Sequence, residues 1–328
     1  MQAVVLVGGE GTRLRPLTTH VPKPALTLVD RPFLAYFVEW LANHGVDEVV
    51  LACGFLPDVL REELGEHEHE GVHLTYVVEP EPRGTAGAIR FAAEALGDAL
   101  DERFLALNGD VLADLDLTAL LRSHEERGAR ASIALYEVDD ASHYGLVSTD
   151  PDGAVTEFRE KTGAVAPGPI NAGAYVLERS VLDLIPPDQQ VSIEREVFPQ
   201  LIDAGLYALP LDGYWMDFGT PERYLQATWD ILEGRVATRV QPTAHGMFIH
   251  PESEIAAGAE VGPRAVVAAG CRVGTGAEVA GSVLLADSSV GDDARVNDSI
   301  LAPRAAVEAG AVLAGAVVGR DERVPAQT

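Results

Sequence analysis

In the last third of the chain an apolar β-branched residue returns at every sixth position. It stands at Ile255, Val261, Val267, Val273 and Val279 and, after a slip of phase, at Val290 and Val296. Glycine repeatedly sits beside these positions, as in Val261-Gly262, Val273-Gly274 and Val290-Gly291. A period of six does not match the 3.6-residue helical repeat, and the glycine load would weaken any helix. Hexapeptide repeats mark a parallel β-helix, in which each hexad makes one short side and its aliphatic residue points into the prism. Roughly ten hexads at three per coil predict a stack of about three to four coils. We expect a short C-terminal left-handed parallel β-helix at 251–320, preceded by a linker at 235–250 and followed by a tail at 321–328.

Residues 1–234 have a different texture. Apolar runs at Ala3–Val7, Glu48–Cys53, Leu74–Val78, Arg103–Asn108, Ser132–Val138, Ala154–Arg159, Ala172–Leu177 and Leu206–Pro210 read as strands. Amphipathic stretches at Phe33–Asn43, Pro57–Leu64, Ala86–Leu96, Leu117–Arg127, Ile193–Ala204 and Pro221–Glu233 read as helices. Their alternation predicts right-handed βαβ units in an α/β domain with a doubly wound, mostly parallel, Rossmann-like sheet. Ligands of such sheets sit outside the carboxyl ends of the strands.

Charge narrows the partners. The 328 residues carry 51 Asp and Glu against 24 Lys and Arg, a formal charge of −27, which argues against nucleic acid and anionic membranes as partners. No run approaches the roughly 18 apolar residues of a membrane span. The N-terminal MQAVVLVGGEGTRL has no basic leader and reads as a first strand entering a glycine loop, not as a signal peptide. Cys53 and Cys271 lack metal-site or disulfide spacing, which suits a reducing cytoplasm. Only two of the 24 cations are lysines, Lys23 and Lys161.

The first strand runs into Gly8-Gly9-Glu10-Gly11-Thr12-Arg13-Leu14, and Pro22-Lys23-Pro24 follows. Glycines after a first βα strand let backbone N–H groups approach an anion. The spacing fits neither the dinucleotide fingerprint nor the Walker loop. Prolines on both sides restrict the backbone at Lys23, as suits a cation that must hold one place. Asp110 ends a strand, where a carboxylate faces the carboxyl-end crevice, although an aspartate there can equally cap a helix.

Together these segments resemble the sugar-1-phosphate nucleotidyltransferases, the nucleotide-sugar pyrophosphorylases. The likeness runs in order through Gly8 to Thr18, Pro22 to Pro24, Glu79 to Gly87, Asn108-Gly109-Asp110, Tyr144-Gly145, Glu160-Lys161, Asn171-Ala172-Gly173, Ser192 to Glu196 and Tyr214 to Gly219. It is closest to the mannose-1-phosphate guanylyltransferases, which also end in a hexapeptide β-helix. The resemblance implies in-line attack of a sugar phosphate oxygen on the α-phosphorus of GTP, giving a nucleotide sugar and pyrophosphate. Arg13 and Lys23 would hold the triphosphate beside the amides of Gly8, Gly9, Gly11 and Thr12, and Asp110 would act with them in catalysis. Glu79, Pro82, Gly84 and Thr85 would line the nucleotide. Gly145, Glu160, Lys161, Asn171, Gly173 and Arg195 would receive the sugar phosphate, while Asp110 and Asp217 would bind Mg²⁺. Both lysines thus fall in phosphate-binding motifs.

Glu79 bears on the base. A carboxylate only accepts hydrogen bonds, which matches the adjacent N1–H and N2–H₂ donors of guanine and clashes with the carbonyls flanking N3–H of uracil or thymine. An exposed glutamate in so acidic a chain can equally be solvated surface. Thr162 stands where relatives usually have proline, and leaves the sugar open: mannose, glucose, a heptose or a cyclitol such as valienol. Thymidylyl or adenylyl transfer and a non-catalytic regulatory paralogue are the other readings. The run Glu66-His67-Glu68-His69-Glu70 reads as solvated surface. The β-helix is expected to pack on the rest of the chain or on a second copy in a homo-oligomer.

Overall fold

The computed structural model describes residues 1–159, 166–241, 243 and 245–326. The chain falls into two compact units, Met1–Gly9 with Phe37–Trp215, and Glu10–Tyr36 with Met216–Thr328.

The first unit is built on β1 (Gln2–Val7), β2 (Glu48–Cys53), β3 (Glu68–His69), β4 (Val72–Val78), β5 (Arg103–Asn108), β6 (Val111–Ala113), β7 (Ala131–Val138), β8 (Leu146–Thr149), β9 (Val155–Arg159), β10 (Gly168–Glu178) and β11 (Leu206–Pro210). The main sheet runs β11-β7-β10-β5-β1-β2-β4-β3. β4, β2, β1 and β5 are parallel neighbours, and they read as near-continuous apolar runs because both faces are buried. The sheet is mostly parallel, as expected, with β10 lying antiparallel to β5 and β7.

β1 leads through α1 (Phe33–Asn43) to its neighbour β2, and β4 leads through α2's successor α3 (Gly84–Leu96) to β5 on the other side of β1; α2 is Pro57–Leu64. Adjacent strands whose connections diverge leave a crevice at their carboxyl ends. Gly8, Gly54, Glu79 and Asp110 follow β1, β2, β4 and β5 at that edge.

α4 (Leu117–Arg127) forms as expected, with Asp116 accepting from the Ala119 amide as its cap. The helix expected at Ile193–Ala204 does not form as one piece. Ile193–Val197 is a π turn and only Phe198–Leu201, α5, is α-helical. Pro199 has no N–H for the interior of a continuous helix, and Asp203 turns to a φ of 61°.

The second unit contains α6 (Pro221–Leu232) and a parallel β-helix of fourteen short strands, from Phe248–Ile249 to Arg323–Val324. They form three sheets of five, five and four strands. That is more than the roughly ten hexads expected at 251–320, because the strands begin at Phe248 in the expected linker, run on to Val324 in the expected tail, and follow one another more closely after the slip of phase. Ile249 pairs with Val267, an eighteen-residue first coil, but Val267 pairs with Leu284 and Leu284 with Leu301, so the later coils are seventeen residues long. The missing residue is lost at one corner of each later coil, after Glu278–Ala280, Arg295–Asn297 and Val312–Ala314. Gly281, Asp298 and Gly315 take left-handed φ there. Behind the first two, Ser282 and Ser299 are fully buried, and their hydroxyls donate to the Ala280 and Asn297 carbonyls while accepting from the Ser299 and Ala316 amides. Inside the prism Val267, Leu284 and Leu301 stack in one column, and Val273, Val290 and Val307 in another.

Candidate active site

In the second unit, three cations converge on one carboxylate. Gly11 turns the glycine loop with a φ of 61°, and its carbonyl accepts from the Thr18 hydroxyl at 2.8 Å. A Cβ at Gly11 would stand 3.1 Å from Thr18 Cγ2 and 3.2 Å from Lys23 Cβ, so the loop closes tightly over the lysine. Pro22 is extended and Lys23–Ala25 is one 3₁₀ turn, which buries the lysine stem. Lys23 Nζ lies 3.4 Å from Asp217 Oδ1 and 4.4 Å from the centre of the Phe218 ring. Arg13 Nη2 is 3.7 Å from Asp217 Oδ2 and mostly exposed. Arg223 Nη1 donates to the Asp217 carbonyl at 3.1 Å and lies 4.0 Å from Oδ2.

Lys23 and Asp217 are held among charged neighbours, and a lysine whose stem is buried while its ammonium stands in such a group is placed to meet a phosphate oxygen. Sequence reasoning missed Arg223 and Gly219. A Cβ at Gly219 would stand 2.5 Å from Arg13 Nη2, so glycine is what lets the guanidinium approach Asp217.

In the first unit the crevice edge is equally tight. A Cβ at Gly54 would lie 2.9 Å from the Gly8 carbonyl, and one at Gly8 3.7 Å from Glu79 Oε2. Glu79 is half-buried, and its Oε1 is enclosed with no hydrogen-bond partner among the described residues. Burial pushes its carboxyl above the usual range, against the lowering influence of Arg83. Gly8 and Gly9 are exposed, as are Thr12, Pro82 and Asp110.

Gly84 and Thr85 open α3, but the amides of Ala86 and Gly87 both point to the Val191 carbonyl, at 3.0 and 3.4 Å. A Cβ at Gly84 would come within 2.6 Å of that oxygen. Gly84 is therefore needed for close packing.

Asn171 and Gly173 sit on a bulge of β10, where the register shifts between Asn171 and Tyr175 and Gly173 has a φ of 75°. A Cβ at Gly173 would meet Asn108 Nδ2 at 2.7 Å. The Gly145 carbonyl accepts from the Asn171 amide at 3.1 Å. Trp215 Nε1 donates to the Ala172 carbonyl at 2.9 Å, with Tyr136 stacked on its indole and Tyr144 edge-on. Arg195 is exposed on the π turn. Glu160 and Lys161 lie outside the described residues.

No group of three or more His, Cys, Asp or Glu able to hold a metal occurs among the described residues. Asp110, after β5 in the first unit, and Asp217, in the second, each offer hard oxygen donors, the kind that a divalent cation takes together with phosphates and water.

Tight glycine turns at the carboxyl edge of the α/β sheet and, within the second unit, cations gathered at Asp217 are each features suited to a phosphate-bearing ligand. Residues 2–234 match the family described as Nucleotidyl transferase, and residues 243–328 match the GMPPB C-terminal domain. The chain belongs to the nucleotidyl transferase family. It is 36% identical over 317 residues to the mannose-1-phosphate guanylyltransferase of Mycobacterium tuberculosis, covering 95% of this chain and 83% of that one. It is 40% identical over 312 residues to the mannose-1-phosphate guanyltransferase of Candida albicans, covering 92% and 86%. The crystal structure of HddC from Yersinia pseudotuberculosis complexed with GMP-PN superposes with a TM-score of 0.61 at 30% identity, covering 70% of this chain and 99% of HddC. No described helix is long and apolar enough to cross a membrane.

Proposed function

We propose that this nucleotidyltransferase is a mannose-1-phosphate guanylyltransferase, converting GTP and mannose 1-phosphate into GDP-mannose and pyrophosphate. The observation that carries the choice of base is Glu79, whose enclosed, partnerless Oε1 is an acceptor suited to the paired donors of guanine. Relatives named for mannose 1-phosphate and GMP transfer, and a structural neighbour holding a GMP analogue, support the same reading.

The mannose 1-phosphate oxygen attacks the α-phosphorus of GTP in line. A new P–O bond forms as the bond to the β-phosphate oxygen breaks, and pyrophosphate departs with that electron pair. Two polyanions must be brought together, at a cost of about 4 kcal/mol per like-charge pair 4 Å apart at an effective dielectric of 20. Arg13 and Lys23 offset that charge on the triphosphate, beside the amides of Gly8, Gly9, Gly11 and Thr12. Pro82, Gly84 and Thr85 line the nucleotide through backbone and packing. Lys161 and Arg195 hold the sugar phosphate, and Gly145, Glu160, Asn171 and Gly173 bind the sugar hydroxyls. Asp110 and Asp217 are the carboxylates that would hold Mg²⁺, whose charge when bound offsets that gathering on the phosphates. Catalysis of this kind is positioning and charge stabilisation, without a covalent enzyme intermediate.

We place the enzyme in the cytoplasm, where its two buried, unpaired cysteines suit a reducing medium, and read it as a homo-oligomer. Purified protein with Mg²⁺ is offered each of GTP, UTP, dTTP and ATP with mannose 1-phosphate or glucose 1-phosphate, and pyrophosphate is measured. GTP with mannose 1-phosphate is expected to be fastest. No release from that pair overturns the reading.

A further inference from the structure

Asn171, Tyr175, Glu194, Thr85 and Ser192 form one connected hydrogen-bond chain, and its chemistry fixes the direction of every bond. Glu194 is the anchor, because a carboxylate only accepts. Its Oε2 accepts from the hydroxyls of Thr85 at 3.0 Å and Ser192 at 2.7 Å, and its Oε1 from the hydroxyl of Tyr175 at 3.2 Å. With its proton directed to Glu194, the Tyr175 oxygen accepts from Asn171 Nδ2 at 2.8 Å. Asn171 Oδ1 in turn accepts from the Gly173 amide at 2.9 Å. Thr85 Oγ1 accepts from the Ile193 amide at 2.8 Å, which closes the chain on the π turn. Reversing the Asn171 amide would set two donors face to face at Gly173 and oblige Tyr175 to give up Glu194.

Tyr175 is fully buried against Phe198, with ring centres 5.1 Å apart, so phenylalanine would fill the same space. Burial, with the charges of Glu194 and Asp110, holds its phenol well above the usual range, and it stays a donor. The chain runs from the β10 bulge, a device that re-aims a side chain, to the first residues of α3.

We propose that Glu194 and Tyr175 are positioning residues for the sugar phosphate. They hold the Asn171 amide so that one N–H and one carbonyl lone pair remain for the ligand, and they tie that amide to Thr85 in the nucleotide-lining segment. This rests on the guanylyltransferase reading above.

Tyr175→Phe tests it by removing one hydroxyl. The expected result is a KM for mannose 1-phosphate raised about tenfold, the worth of one lost hydrogen bond, with kcat and the KM for GTP changed less than about twofold. Asn171→Ala combined with Tyr175→Phe is expected to raise that KM no further than Asn171→Ala alone, since one acts through the other. Glu194→Gln, which turns an acceptor into a donor facing two hydroxyls, is expected to raise the KM of both substrates, and it carries the test should Tyr175→Phe fail to fold. An unchanged KM in Tyr175→Phe, or effects that multiply in the double variant, overturns the proposal. Wild-type turnover separates the two ideas: an active wild type with a silent Tyr175→Phe refutes the positioning role alone. Should the wild type release no pyrophosphate, calorimetric binding of mannose 1-phosphate gives the same comparison, and a wild type that does not bind it either overturns both.

Discussion

Glu79 is costly to the fold, and on the reading proposed above it is the residue that meets the base. Burial raises its carboxyl, so the folded state disfavours the charged form. A carboxyl raised on folding leaves stability untouched below its unfolded pKa and lowers it increasingly as pH rises through the folded pKa. Glu79→Gln is therefore expected to melt higher than wild type at pH 7.5 and to converge with it near pH 4, as followed by thermal unfolding across pH. If Glu79 meets guanine as proposed, the same substitution sets a donor against its donors, and the KM for GTP is expected to rise by about tenfold or more. Gly219→Ala makes the opposite trade. Its Cβ would lie 2.5 Å from Arg13 Nη2, but that guanidinium is exposed and free to swing aside. The melting temperature is expected to hold while the KM for GTP rises about tenfold, the scale of one charge-assisted hydrogen bond. The glycine loop and Lys23 could be read from the chain because they lie within a short span of local sequence. Gly219 and Glu194 fall inside matched stretches without a role, because the Arg13 that one accommodates and the Thr85 that the other accepts from lie far along the chain, and Arg223 and Tyr175 fall outside those stretches.

At the scale of elements, close approach and buried corners decide what is tolerated. A Cβ at Gly109 would stand 2.7 Å from the Val5 and Val7 methyls and 3.0 Å from the Leu6 carbonyl, all in the buried strand β1. Nothing there can move aside, so Gly109→Ala is expected to lose about 1–3 kcal/mol of stability by urea unfolding. In the β-helix, Ser299→Ala strips both the acceptor for the Ala316 amide and the donor to the Asn297 carbonyl, for an expected loss of about 1–3 kcal/mol. Strand and helix periodicity identified most elements of the α/β unit, with Glu48–Cys53, Phe33–Asn43 and Leu117–Arg127 matching to the residue. The failures have physical causes. Pro199 breaks the helix expected at Ile193–Ala204, and a repeat of seventeen hides from a search for six once each coil after the first loses a residue at one corner. The strand expected at Ala172–Leu177 lies within β10, but its antiparallel direction was not legible, because pairing direction leaves no trace in a short apolar run.

For the whole molecule, the consequential fact is that Arg13, Lys23 and Asp217 belong to the same compact unit as the β-helix. One side of the prism carries apolar residues outward as well as inward: Val266, Val283 and Ile300 face away from the stacked column and are nevertheless fully buried. α6 contributes to that cover, for Trp229 Nε1 donates to the Gly281 carbonyl at 3.1 Å and its indole lies under the Arg264 guanidinium. Arg264 also pairs with Glu233 just past the end of α6. A chain ending at Gln241 would keep every residue assigned to the ligands, yet it would leave the Trp229 side of α6 without the prism that it packs on. It is expected to show little pyrophosphate release and to associate into large species by light scattering, even though a formal charge of −27 in the full chain favours solubility. A monomeric truncated chain with wild-type turnover would show instead that the cation cluster needs none of the β-helix to hold its geometry.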